Sequence, residues 1–83
     1  MSRNGARLRL RSGEDAYALV ELLRDMDDAF SIVSRTGSRR VNAKSILGVI
    51  CMMLEFLDGI YLINETHEGL ISPKLAGFLA TPA

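Results

Sequence analysis

Val41-Asn42-Ala43-Lys44-Ser45-Ile46-Leu47-Gly48 carries the chain from an extended run into a strongly apolar helix, and that junction orders everything around it. Ser45 stands where a helix needs a cap, because a serine oxygen accepts an amide N–H that the first turn leaves unpaired. Behind it Ile46, Val49, Ile50, Met53, Leu54 and Leu57 recur at i, i+3, i+4 and i+7, and are expected to form the buried stripe. Leu47, Cys51 and Met52 fall off that stripe. Asp58-Gly59 breaks the helix, and Ile60 to Thr66 reads as a strand.

Upstream, Ala6-Arg7-Leu8-Arg9-Leu10-Arg11 alternates strictly, the pattern of a strand with one buried face. Ser12 is a second capping serine, and Asp15 three residues later completes a capping box. Leu19, Val20, Leu22, Leu23 and Met26 follow at helical spacing until Asp27-Asp28 closes the segment. Phe30 to Thr36 and Arg39 to Ala43 are β-type runs joined by Gly37-Ser38, which predicts a hairpin, and Arg39 and Arg40 suit an edge strand that must not pair with another chain. Downstream, Ser72-Pro73 opens a short last helix with Leu75, Phe78 and Leu79 on its apolar side and Pro82 as its stop. The order β-α-β-β-α-β-α, with a hairpin inside it, predicts an α+β domain: an antiparallel sheet covered by helices on one face.

With 83 residues, of which 48% are apolar, the chain suits one small domain over residues 1–83 with an ample core. Ten basic and ten acidic residues cancel, so the overall charge singles out neither a nucleic acid nor an acidic partner. The lone cysteine, Cys51, excludes an internal disulfide, fits a reducing compartment, and has no neighbour that would activate a thiolate. The polar start, Met1 to Gly5, has no apolar stretch behind it of the kind a signal peptide needs. The longest apolar run, Ile46 to Leu54, is about half of the ~20 residues of a membrane span. A cytoplasmic protein without membrane contact is expected. His67 reads as an exposed loop histidine, and one histidine, one cysteine and scattered carboxylates make no metal or cofactor site.

The run Val41 to Gly48 resembles the regulatory-serine segment of the HPr proteins, the histidine-containing phosphocarriers of the bacterial sugar phosphotransferase system. The resemblance covers roughly residues 6 to 66, is strongest from Val41 to Ile50, and extends to Asp58-Gly59-Ile60, which is similar to the family's entry into its last strand. It implies an open-faced sandwich of four antiparallel strands under three helices. The family's phosphorylated histidine, its phosphate-holding arginine and the proline after them fall at Asp15, Tyr17 and Ala18 here. Relay of phosphate through histidine therefore does not carry over, and no enzymatic activity is implied. Asp15 stays open between three roles: a helix cap, an acyl-phosphate site without the Mg²⁺ and lysine such sites use, and a permanent negative charge imitating the phosphorylated carrier.

The resemblance implies more for Ser45. In Gram-positive members the matching serine is phosphorylated by an ATP-dependent HPr kinase, and the product binds a catabolite-control transcription regulator. A phosphate at a helix N-terminus gains from the dipole, with Lys44 as a cation beside it. The plainer alternative is that Ser45 only caps. Lys44, Ile46, Leu47, Cys51 and Met52 form the implied partner-binding patch; alternatively its off-stripe members pack beneath Leu70, Ile71 or the last helix. Two further readings stand beside a regulatory protein of carbon-source control. One is an interaction domain that keeps the fold outside the pathway. The other is a nucleic-acid-binding face built from the first-strand arginines with Tyr61.

Overall fold

A computed structural model describes residues 5–80 of the chain. Strand β1 (Ala6–Arg7) leads to helix α1 (Gly13–Arg24), strands β2 (Phe30–Ser34) and β3 (Arg40–Asn42), helix α2 (Ile46–Glu55), strand β4 (Ile60–Asn64) and a closing 3₁₀ helix, Pro73–Phe78. The strands form one sheet in the order β1-β4-β2-β3, every pair antiparallel. This is an α+β fold, an open four-stranded sheet with three helices. No described helix is long and apolar enough to cross a membrane. Pro82 lies outside the described residues.

Strand β1 is shorter than the alternation of residues 6–11 predicts. After Arg7 the alternation itself holds, with Leu8 buried, Arg9 exposed and Leu10 packed against the core, but the pairing shrinks to a single bridge from Leu8 to Leu79. The Arg9 amide donates to the Phe78 carbonyl at 2.7 Å and the Ala80 amide to the Arg7 carbonyl at 2.8 Å. The backbone after the 3₁₀ helix thus covers the outer edge of β1, and Leu79 serves as a bridge residue instead of a helical one. The hairpin is present, with Gly37 at φ +83 in its turn, a left-handed conformation that glycine adopts without a Cβ clash. Its second strand, β3, is the other edge, where Arg39 and Arg40 were expected.

One face of the sheet carries the core. Ile32 and Leu62 pair in register and are fully buried beneath Leu19 and Leu23 of α1, Val49 and Met52 of α2, and Leu75 of the 3₁₀ helix. Each of these side chains contributes about 1.5–3 kcal/mol by leaving water. Gly48 permits the close seat of α2 on β3: a Cβ there would come within 3.2 Å of the Val41 Cβ. The opposite face carries Arg7, Tyr61, Val33 and Arg40 in one row across the strands, with Val33 buried among its neighbours.

Helix α2 is rotated relative to the predicted stripe. Met52, expected off the stripe and within the partner patch, is 0% exposed, whereas Leu54 and Leu57, expected inside, are 68% and 85% exposed. Every residue of α2 except Gly48 and Glu55 is apolar, so periodicity has no polar face to set its phase against. Val49 and Met52 face inward, with Ile46, Ile50, Met53 and Phe56 packed at the margin. Because the helix ends at Glu55 with Phe56 as its C-cap, Leu57 does not share its phase at all.

Candidate functional site

The start of α2 is built by short polar side chains. Asn42 Oδ1 accepts the Lys44 amide at 2.9 Å and the Asn42 carbonyl accepts the Ser45 amide at 3.1 Å, turning the chain out of β3. Ser45 is extended at φ −101, ψ 114, and its hydroxyl oxygen accepts the Gly48 amide at 3.3 Å. It is the N-cap of α2, half-buried, with the Ile46 and Leu47 amides left without intrahelical acceptors. An anion on the Ser45 oxygen would meet those amides and the positive end of the helix.

Lys44 is not beside Ser45 in the way expected. Its ammonium donates to the Met26 carbonyl at 2.7 Å, just past the end of α1, where the helix dipole is negative. The cation that sequence reasoning missed is Arg24, whose Nε donates to the Lys44 carbonyl at 3.1 Å. These two bonds stitch the end of α1 to the start of α2. Nothing in the spacing of the sequence announces them, since they link residues 18 and 20 positions apart.

Around this cap the expected patch divides. Leu47 is 75% exposed and Cys51 is an exposed free thiol, and Leu54 continues the same outer line at i, i+4, i+7. Ile46 is partly buried against the core, and Met52 belongs to the core and offers nothing to a partner. The patch is therefore Leu47, Cys51 and Leu54, with Leu57 exposed beyond the helix.

Asp15 lies near the opposite end of α1, a helix about 18 Å long. The Asp15 amide reaches Ser12 Oγ at 3.4 Å, so Ser12 caps as expected. The reciprocal bond lands one residue early: the Asp15 carboxylate accepts the Arg11 amide at 2.9 Å, not that of Ser12, and sits 3.6 Å from Arg11 Nε. Tyr17 is 58% exposed and Ala18 is also exposed.

The arginines are largely answered by carboxylates. Arg35 pairs with Asp58 at 3.8 Å, Arg39 with Glu55 at 2.9 Å while lying over the Phe56 ring, and Arg40 with Glu65. Among the described residues only Arg7 and Arg9 of the arginines lack such a partner, and Arg7 lies opposite Tyr61 in register.

A second polar cluster escaped the sequence. Buried Asn64 uses all its hydrogen-bonding capacity: Oδ1 accepts the Thr66 and His67 amides, and Nδ2 donates to the Asp28 carboxylate and the Leu70 carbonyl. His67 Nδ1 lies 3.2 Å from the same Asp28 oxygen. The Asn64 amide, and after it His67, hold the Asp28 carboxyl below its ordinary pKa. Pairing of Phe30 with Asn64 brings Asp28 and His67, 39 residues apart, together, so the exposed loop histidine ties the loop after β4 to the segment before β2. Among the described residues no three His, Cys, Asp or Glu side chains gather as a metal site.

Comparison of the chain with protein-family models, with curated proteins and with solved structures finds no match.

Proposed function

We propose that this protein is a regulatory binding module similar to HPr, working in the cytoplasm in carbon-source control, with Ser45 as its phosphorylation switch and Leu47 and Cys51 in its contact surface. The observation that supports this most is the placing of a half-buried serine hydroxyl at the head of a helix whose outer face is apolar and uncovered. A phosphate on Ser45 would gain from the helix dipole and from Arg24, and would change the charge at the border of that face. The partners proposed are an HPr kinase and a catabolite-control transcription regulator. Asp15 supports no phosphate relay, because a carboxylate bound to Arg11 replaces the nucleophilic imidazole such relay needs.

The test is incubation with an HPr kinase of the Gram-positive type and ATP, followed by mass spectrometry. One phosphate located on Ser45 and absent from Ser45→Ala is expected. An unmodified chain under conditions that label an authentic HPr would remove the switch.

A further inference from the structure

The uncovered line on α2 has a symmetry of its own. Leu47 and Leu54 stand four residues before and three after Cys51, and Cys51 lies at the middle of Ile46–Glu55. We propose that a second copy of this chain covers this face, the two α2 helices packing antiparallel about a two-fold axis beside Cys51. This rests on reading the face as a contact surface and names its occupant.

In that arrangement Leu47 of one copy meets Leu54 of the other and each Cys51 lies against its own counterpart, as an isologous contact requires. Charge fits the same geometry. Near the head of α2 lie two cations, the Arg24 guanidinium on the Lys44 carbonyl and the Lys44 ammonium on the Met26 carbonyl, while its tail carries Glu55 and, just beyond, Asp58. Both ends oppose the dipole of their own helix, which favours acids at the head and bases at the tail. Turned antiparallel, the cationic head of one helix lies by the acidic tail of the other. Arg39 and Arg35 already touch those acids through exposed pairs of small individual worth, so the second copy's cations extend a network instead of breaking a strong bond. The chain's formal charge of +0 puts no long-range repulsion between copies.

The exposed line offers a few hundred Å² per copy, below the ~800 Å² per partner of a standard interface. The dimer is accordingly weak and reversible.

Sedimentation velocity of the whole chain over a concentration series up to about 1 mM tests this. The expected result is a reversible rise toward twice the monomer mass, with Leu47→Glu and Leu54→Glu each weakening association about tenfold or more while melting as the parent does. A short bismaleimide should link Cys51 to Cys51. In Cys51→Ser with Leu47→Cys the yield should collapse, because the antiparallel axis holds the two copies of position 47 apart. A chain that stays monomeric, or a dimer indifferent to both glutamates, overturns the pairing. Equal crosslinking at position 47 overturns the antiparallel arrangement. Kinase labelling of Ser45 reads a different quantity, so loss of self-pairing and loss of the switch are separable.

Discussion

Helices α1 and α2 lie side by side on the same sheet, and both begin at a serine that caps them. Beyond that they differ. Helix α1 buries Ala16, Leu19, Val20 and Leu23 and turns Glu14, Glu21 and Arg24 to water. Helix α2 buries Val49 and Met52 and turns Leu47, Cys51 and Leu54 to water. Folding of one copy accounts for α1 apart from the exposed Tyr17. It does not account for the outer side of α2, where leucines stay in contact with water and contribute nothing to the core. Two helices of one layer thus differ in what they leave to water: α1 mostly charged side chains with Tyr17 among them, α2 a line of apolar ones.

The largest effects should separate inner from outer positions. Leu19→Ala and Met52→Ala each should cost about 2–5 kcal/mol in urea unfolding, because both side chains are fully buried. Leu47→Ala and Leu54→Ala should stay within about 0.5 kcal/mol of the parent under dilute conditions. If Leu54→Ala proved as costly as Met52→Ala, the assigned rotation of α2 would be wrong.

The caps sharpen the comparison from the side of similarity. Ser12→Ala and Ser45→Ala should each lose about 1 kcal/mol, since each removes the acceptor of a first-turn amide. Ser45→Asp should retain most of that stability, which circular-dichroism melts will show.

The smallest effect concerns the clasp behind the helices. Asp28 has a folded pKa below its ordinary value, so the unfolded chain binds its proton more tightly. Its contribution is complete above the ordinary carboxylate value and is lost as pH falls through the lowered one. Asp28→Asn should therefore flatten the acid side of the stability profile, matching the parent at low pH and falling slightly below it at neutral pH, the loss being small because the pair is open to solvent. A profile as steep as the parent's would show that Asp28 does not link to folding.

Residues acting over a few positions were legible in advance. The two capping serines, the hairpin at Gly37, the arginine-bearing edge and the order of elements all follow from capping, turn chemistry and alternation, which need only near neighbours. The candidate site was legible in part: Ser45 could be placed at the head of its helix, while Arg24 could not be placed beside it.

What only the tertiary structure decided is which way α2 faces, where the Lys44 ammonium points, how residues 78–80 seal β1, and that Asp28, Asn64 and His67 meet. Each depends on a partner distant in the chain. For α2 the reason is sharper still. A helix states its inward side through the contrast between apolar and polar faces, and one apolar on every side leaves that choice to the sheet and helices it packs against.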